Sequence, residues 1–216
     1  MNTTLNWYNL LSRVYDFSTL GDKPYRQARQ RAIQTLELQP GDVVVDLFCG
    51  TGVNFPYILP KIGQGGLLIG VDGSTGMLDK ARQRMARLGL DASPIHLLVR
   101  DLRDVQPGFL EGALPGGKTP KVLITLALGV FEDYEAVFAN LYDAMPPGTR
   151  FALMEVYAEK GARGAWLLDF IGQADVSRRV WEPLKTRLSA YQEEWFSFPF
   201  RFIRSSLVVA SGIKGD

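Results

Sequence analysis

Apolar residues follow two different periods along this chain, and the alternation between them predicts a sheet covered by helices. Five apolar runs of strand length, rich in β-branched residues, have the pattern of buried parallel strands: residues 43–47, 67–71, 95–99, 121–126 and 149–156. Between these runs, apolar residues recur at the three- and four-residue spacing of helices that cover one face of a sheet. Strands that alternate with helices in this way predict an α/β protein with a doubly wound sheet.

The first forty residues predict two helices. Residues 3–18 carry apolar side chains at helical spacing: Trp7, Leu10, Leu11 and Val14. A second helix is predicted over residues 22–38, with Pro24 near its first turn. We expect residues 1–40 to pack over the binding core as a lid.

The last sixty residues predict a different arrangement. An apolar stripe at helical spacing indicates one helix around Trp166 and Phe170, and residues 178–185 indicate another. Residues 191–210 have the pattern of two strands that turn near residue 203, which would add an antiparallel hairpin and bring the sheet to about seven strands. We therefore expect a single domain over residues 1–216, with a binding core at 41–157 and substrate-side helices and the hairpin at 158–216.

The clearest candidate site is the turn after the first strand. Asp46 ends the strand, and Gly50 and Gly52 follow before the next helical pattern. A strand, a glycine turn and a helix N-terminus present backbone N–H groups to a small ligand, and glycine lets that ligand approach the backbone. A dinucleotide fingerprint would need a third glycine where Phe55 stands, and a carboxylate at Asp46 would repel a pyrophosphate. A cationic ligand suits Asp46 better.

Residues 46–52, Asp-Leu-Phe-Cys-Gly-Thr-Gly, resemble motif I of the class I S-adenosylmethionine-dependent methyltransferases. This cofactor carries a sulfonium and an ammonium, which fits an acidic residue in the motif. The resemblance extends over about residues 40–157 and implies a Rossmann-like seven-stranded sheet, S-adenosylmethionine as cofactor and methyl transfer as the activity. Two alternatives of other classes remain, an NAD-dependent oxidoreductase and a module that binds the cofactor without catalysis.

Two more acidic residues follow the second and third strands. Asp72 stands where a carboxylate can accept hydrogen bonds from both ribose hydroxyls of a nucleoside. Asp101 stands where a carboxylate can accept from the adenine amino group, while the next backbone N–H donates to the ring. The residues predicted to bind the cofactor, from the pattern and the resemblance together, are Asp46, Phe48, Gly50, Thr51, Gly52, Asp72, Gly73, Met77, Asp101, Leu102 and Leu126.

The segment after the fourth strand lines the substrate side in members of this family, and many of them carry a histidine there. In this chain Gly129, Val130 and Phe131 occupy that place. His96 lies inside a predicted strand, and we interpret it as a packed structural residue. Without an evident general base, the sequence favours methylation of an amine nitrogen. O- or C-methylation of a phenol or quinone is the alternative, and no catalytic residue is assigned.

Aromatic residues can cap an acceptor pocket, because their faces attract a sulfonium or a methylated ammonium. The candidates are Tyr8, Tyr15, Tyr25, Phe131 and Trp166. Ordinary packing of the first helices explains the tyrosines equally well. Residues 72–78 are similar to methyltransferases that act on quinones and phospholipids, and residues 174–184 to bacterial phosphatidylethanolamine N-methyltransferases. This similarity implies a small or amphiphilic, lipid-like acceptor.

Composition narrows the expected partners and location. The net charge is only +1, which argues against nucleic acid as a partner. The single cysteine, Cys49, fits a reducing compartment, and no metal site is expected. Since no signal peptide or long apolar run appears, we expect a cytoplasmic protein. The basic first helices beside their apolar stripe also suggest peripheral contact with a membrane.

Overall fold

The computed structural model describes residues 22–90, 94–103, 105–200 and 202–215. Within them, seven strands form one sheet in the order β3-β2-β1-β4-β5-β7-β6. The strands are β1 Val43–Leu47, β2 Leu67–Asp72, β3 Ile95–Val99, β4 Lys121–Thr125, β5 Arg150–Tyr157, β6 Leu188–Ser197 and β7 Ser206–Lys214. Strands β1 to β5 are parallel, whereas β7 runs antiparallel to both β5 and β6. The predicted doubly wound sheet with an antiparallel hairpin is confirmed.

The order of the strands creates a switch point beside β1. This strand pairs with β2 on one side and with β4 on the other, so that Asp46 lies opposite Gly70 and Leu123. The chain proceeds outward from β1 toward β3 in one direction and toward β5 in the other. In open α/β sheets, ligands bind outside the carboxyl ends of the strands at such a point. The glycine turn after β1 therefore occupies the position where a ligand is expected.

Six α-helices accompany the sheet in the described residues: α1 Arg26–Thr35, α2 Phe55–Ile62, α3 Thr75–Arg87, α4 Tyr134–Asp143, α5 Ala165–Gly172 and α6 Glu182–Arg187. A short 3-10 helix spans Leu128–Val130. Helix α1 is shorter than predicted, and Glu37 adopts a left-handed φ of 51° two residues after it. The helix predicted over residues 3–18 lies outside the described residues.

The core has two layers, one on each face of the sheet. Helices α1, α2, α3 and α5 contribute to the first layer, where Phe55 and Ile33 are fully buried. Helices α4 and α6 and the segment after β3 contribute to the second, which contains Phe138 and Trp181. Because side chains alternate along a strand, Asp46 shares the first face with Val44. That carboxylate is thus buried among the helices of one layer.

The structure contradicts the interpretation of His96 as a packed residue. It lies in β3, as predicted, but β3 is an edge strand and the His96 side chain is exposed. The strand pattern alone did not distinguish an edge strand from a central one. Among the described strands, β3 pairs only with β2.

Helix α3 is the longest of the described helices, with 13 residues. A bilayer core requires about 20 apolar residues in a helix that crosses it. Within the described ranges, no helix combines the length and apolarity that such a crossing needs. The expected cytoplasmic location and the suggested peripheral membrane contact stay predictions.

Candidate functional site

The carboxyl ends of β1, β2, β3 and β4 surround a cavity of about 250 Å³. Its lining comes from four strand ends and the segments after them: Phe48 and Gly50; Asp72, Gly73, Ser74 and Met77; Asp101, Leu102 and Arg103; and Leu126, Val130, Phe131, Glu132 and Asp133. Eight of the eleven residues predicted to bind the cofactor therefore line one cavity. Their role in binding stays a prediction, but the fold does bring them together.

The glycine turn is joined directly to the end of β2. The Gly50 N–H donates to Asp72 Oδ2 at 2.9 Å, and the Cys49 N–H donates to the carbonyl of Val71 at 3.0 Å. Gly50 has a φ of +54°, which glycine adopts without strain. The turn thus holds its backbone against the second strand, and Gly50 faces the cavity.

At Gly52, glycine is favoured by close packing and not by access of a ligand to the backbone. A Cβ atom there would lie 2.6 Å from the ring of Phe55, and Gly52 does not line the cavity. Its small size allows α2 to pack under the turn rather than allowing a ligand to approach. The reason given from sequence, access for a ligand, is therefore not supported at this position.

Asp72 lines the cavity, and each of its carboxylate oxygens already accepts one backbone hydrogen bond. Oδ2 accepts from Gly50, and Oδ1 accepts from the Ser74 N–H at 2.8 Å. Burial raises the pKa of Asp72, while these two backbone hydrogen bonds oppose the shift. Since each ionised carboxylate oxygen has two acceptor sites, both oxygens can still accept from a ligand. The geometry allows two hydroxyl groups to bind side by side.

Asp101 has a partner that sequence reasoning missed. Arg103 Nε donates to Asp101 Oδ1 at 2.8 Å and to Oδ2 at 3.1 Å. Arg103 Nη2 also donates to Asp101 Oδ2 at close range. The hydrogen bonds from Arg103 lower the pKa of Asp101. Both residues line the cavity, and both are at least partly exposed. Asp101 therefore remains an anion at its wall, with an arginine beside it.

Asp46, by contrast, does not line the cavity. Its side chain is fully buried, and Asn54 Nδ2 donates to both carboxylate oxygens, at 2.8 and 3.0 Å. Burial raises the pKa of Asp46 to about 7, against the opposing effects of Asn54 and Arg29. Direct contact with a cofactor, predicted from sequence, is not supported for this side chain because its oxygens face Asn54.

Thr51 is also absent from the cavity wall. It is buried, and Arg84 Nε of α3 donates to its carbonyl oxygen at 2.9 Å. The predicted contact of Thr51 with a cofactor is therefore not supported either. Together with Gly52, Thr51 supports the turn from behind.

Of the residues predicted for the acceptor side, Phe131 lines the cavity. Its ring lies 5.4 Å from that of Phe48, centroid to centroid. Tyr25 is 6% exposed, packs on Phe198 and does not line the cavity, and burial raises its pKa to about 12. Trp166 is 69% exposed on α5 and does not line the cavity either. Tyr8 and Tyr15 lie outside the described residues.

The mouth of the cavity carries acidic side chains that sequence reasoning did not single out. Glu132 and Asp133 follow Phe131, and both are exposed. The short 3-10 helix at residues 128–130 precedes them, and three residues are too few to give a periodic pattern in the sequence. Arg103 is the one basic residue in the described lining. Ser74 and Val130 complete the lining residues that were not predicted as binding residues.

The wall formed by residues 126–131 is held by a buried carboxylate. Glu155 in β5 accepts from the N–H of Ala127 at 2.9 Å and from its neighbour Val156 at 3.2 Å. Burial raises the pKa of Glu155 to about 7, and these backbone hydrogen bonds oppose the shift. Sequence reasoning assigned Glu155 no role, because its partners come from a loop that the pattern does not place.

Comparison with families of known sequence yields a match over the strands that build this site. The family described as "Methyltransferase domain" matches residues 44–148. These residues run from β1 to the end of the segment before β5, and they include every residue of the cavity lining.

Solved structures with this fold include methyltransferases. A chain of the complex between the Haloferax volcanii Trm112 methyltransferase activator and a methyltransferase is 17% identical, has a TM-score of 0.69, and aligns over 97% of this chain and 98% of its own. Phosphoethanolamine N-methyltransferase 2 of Haemonchus contortus, solved with S-adenosyl-L-methionine, is 14% identical with a TM-score of 0.64, over 86% of this chain and 52% of its own. At such identities, these structures show the shared fold.

Among curated proteins, 23S rRNA (uracil(1939)-C(5))-methyltransferase RlmD of Bordetella avium is 43% identical over 100 residues, which are 46% of this chain. The match spans only a fifth of that relative's length. The expectation of no nucleic-acid partner is contradicted by this relative, whose substrate is an RNA. The expectation was wrong because it rested on the net charge of the whole chain, which says little about one site.

The family match favours the methyltransferase over the NAD-dependent oxidoreductase that the sequence left open. It agrees with Asp46, with Phe55 in place of a third glycine, and with an acidic residue at the end of each of the first two strands. Residues 44–148, just under half of the chain, thus match the methyltransferase domain family, and this match supports S-adenosylmethionine as the cofactor.

Proposed function

We propose that this chain binds S-adenosylmethionine in the cavity at the strand ends and transfers its methyl group to an amine nitrogen. Asp72 accepts from the two ribose hydroxyls, for which each of its oxygens retains an acceptor site. Asp101 and the backbone of Leu102 bind the adenine, with Met77 packed beside it. The methionine end lies along Phe48 and Gly50, and the sulfonium methyl faces Phe131.

Methyl transfer from a sulfonium needs little chemical assistance from the protein. The amine lone pair attacks the methyl carbon in line with the sulfur, so that the N–C bond forms as the S–C bond breaks. The sulfonium becomes a neutral thioether, and the methylated nitrogen becomes cationic until it releases a proton to solvent. Holding the two reactants in this geometry can supply most of the acceleration, through effective molarities of about 10⁵ M or more.

The acidic lining of the cavity is the observation that carries the choice of an amine. Asp72, Asp101, Glu132 and Asp133 stand around it against a single arginine in the described lining. Each carboxylate attracts a cation at about 4 Å by about 1 kcal/mol in water and by more where water is excluded. This charge attracts the sulfonium, the protonated amine, which releases its proton to solvent before attack, and the cationic product. The faces of Phe48 and Phe131 add cation–π attraction.

A free amine also removes the need for a general base. His96, the chain's only histidine, is exposed on β3 and does not line the cavity. A phenol would need to lose its proton before or during attack, whereas an amine reacts in its neutral form. The lining therefore supports N-methylation over O-methylation.

The rRNA methyltransferase relatives support a second candidate, methylation of a base in RNA. The acidic mouth opposes it, because phosphates near Glu132 and Asp133 would be repelled. Transfer to a pyrimidine carbon would also call for a nucleophile that activates the ring, and Cys49 is buried with its pKa raised by burial. The amine remains the first candidate.

Release of S-adenosylhomocysteine from S-adenosylmethionine tests both candidates in one assay. The purified chain is given a panel of primary and secondary amines, a panel of phenols and quinones, and ribosomal RNA, with Asp72→Ala as the inactive control. Turnover that depends on an amine supports the proposal, and turnover that requires RNA or a phenol contradicts it. Cofactor binding without turnover on any panel would indicate the non-catalytic module instead.

A further inference from the structure

Arg29 is buried in α1 although its guanidinium is permanently charged. The residue is 4% exposed, and its donors reach three separate parts of the chain. Nε donates to Asp22 Oδ1 at 2.9 Å, and Nη1 donates to Thr125 Oγ1 at 3.2 Å and, more closely, to Asn54 Oδ1. A buried cation is costly unless it is paired and hydrogen-bonded in this way. The position of Arg29 is therefore tightly defined.

Asn54 passes this arrangement on to Asp46. Because Arg29 occupies Oδ1 of the amide, Nδ2 must turn toward Asp46, to which it donates at 2.8 and 3.0 Å. The same Nδ2 lies 3.1 Å from Thr125 Oγ1. The reverse orientation would set amide N–H groups against the guanidinium, which has no acceptor. Arg29 thus decides which way the Asn54 amide points.

Asp46 and Thr125 each stand just before a strained residue of the cavity wall. Phe48 follows Asp46 by two positions, and Leu126 follows Thr125 directly. These two lining residues have left-handed φ values of 56° and 54°. A non-glycine residue in that region is strained and persists only where its surroundings enforce it. The network of Arg29, Asn54, Asp46 and Thr125 joins β1 to β4 just ahead of both residues.

We infer that Arg29 is a positioning residue, which acts through Asn54 and Thr125 to hold Phe48 and Leu126 against the methionine end of the cofactor. The inference rests on the proposed placement of the cofactor, with the adenosine at Asp72 and the methionine end at Phe48. No described hydrogen bond of Arg29 reaches Asp72. Loss of its contacts should therefore weaken binding of the methionine portion and spare the adenosine portion.

Two ligands separate this role from a merely structural one. S-adenosylhomocysteine contains the amino-acid end, whereas 5′-methylthioadenosine keeps the adenosine and the thioether but lacks it. Calorimetric titration of both ligands into Arg29→Lys should show a dissociation constant for S-adenosylhomocysteine raised about tenfold, as for one lost charged hydrogen bond. The constant for 5′-methylthioadenosine should change less than about threefold, since no lost contact faces it. Arg31→Lys is the matched control, because Arg31 is an exposed arginine of the same helix, paired with Glu194.

Thr125→Val provides a second variant of nearly equal volume, should Arg29→Lys fail to fold. It removes the hydroxyl shared by Arg29 and Asn54, and it should produce the same selective loss in smaller measure. Equal weakening of both ligands, or unchanged affinity for S-adenosylhomocysteine in a folded variant, would overturn the inference. Failure of the wild-type chain to bind either ligand would contradict the cofactor site itself and remove the inference with it.

Discussion

At the scale of single residues, the three acidic strand ends have three different environments although they look alike in the sequence. Asp72 lines the cavity and accepts two backbone N–H groups. Asp101 lines it with an arginine partner, and Asp46 is buried behind it. Spacing along the chain predicted that the three would gather at one edge of the sheet. It did not predict their orientation, because that depends on Asn54 and Arg103, which no motif marks.

Asp72→Asn should weaken cofactor binding while leaving the fold intact. The amide keeps the shape and one acceptor oxygen, but it loses the charge and cannot accept from both ribose hydroxyls. We expect the affinity for S-adenosylhomocysteine, measured by calorimetry, to fall at least about tenfold. Asp79→Asn on α3 is the control, since Asp79 is exposed and paired with Arg82. Unchanged affinity in a folded Asp72→Asn variant would show that the ribose lies elsewhere.

Removal of charge from the cavity mouth should affect the acceptor rather than the cofactor. In the double variant Glu132→Gln with Asp133→Asn, the KM for a cationic amine should rise about threefold to tenfold at low salt. The difference from wild type should shrink as salt is added, because exposed charges are screened. Steady-state kinetics at two ionic strengths, with Glu135→Gln of α4 as control, measure this. An unchanged KM would contradict the role of the acidic mouth.

At the scale of elements, the glycine turn combines two requirements that the motif does not separate. Gly50 and Gly52 both have positive φ values, but only Gly52 lacks room for a side chain. The sequence predicted the turn from the glycines and from the strand before it. That Gly52 is required for a packing contact follows only from the position of the Phe55 ring in the structure.

Gly52→Ala should destabilise the protein more than Gly50→Ala. Both changes strain a left-handed backbone, but at Gly52 the new methyl would also meet the Phe55 ring at 2.6 Å. We expect an extra loss of about 1–3 kcal/mol in the free energy of unfolding for Gly52→Ala. Urea unfolding of the two variants measures the difference. Equal losses would mean that α2 moves aside at little cost.

Stability should fall as the pH rises from 5 to 8. Burial raises the pKa of Asp46 and of Glu155 to about 7 in the folded protein, whereas unfolded carboxyl groups titrate near 4. The folded state thus holds protons that the unfolded state has lost, and this stabilisation disappears as the pH passes 7. Asp101 and Asp175, whose pKa values are lowered, stay ionised throughout this window.

The free energy of unfolding in urea should accordingly be higher at pH 5 than at pH 8, by on the order of 1 kcal/mol or more. Asp46→Asn should reduce this dependence, because it removes one of the buried carboxyl groups whose pKa is raised. Higher stability at pH 8 than at pH 5 would show that these buried carboxyl groups are ionised at low cost.

The helices and strands could largely be predicted from the pattern. The strand β1 has the predicted bounds, and β2 and β3 end within a residue of them, because buried parallel strands are nearly continuous apolar runs. Helix α1 could not be bounded in the same way. It ends at Thr35, two residues before the left-handed Glu37, and a glutamate in the sequence does not indicate such a conformation.

At the scale of the whole molecule, the sheet order explains why one cavity collects residues from positions 48 to 133. Pattern and resemblance together predicted this architecture, and the structure confirms it. They did not predict the acidic mouth or the buried Arg29 network, which arise where separate segments meet. The expected single domain over residues 1–216 stays a prediction, since residues 1–21 lie outside the described ranges.

The central claim is that the cavity at the strand ends holds S-adenosylmethionine in one defined orientation. A crystal structure of the chain with S-adenosylhomocysteine tests it most directly. We expect the ribose hydroxyls within hydrogen-bond distance of Asp72, the adenine beside Met77 and Asp101, and the sulfur directed toward Phe131. A ligand bound outside this cavity, or one whose ribose does not contact Asp72, would contradict the account.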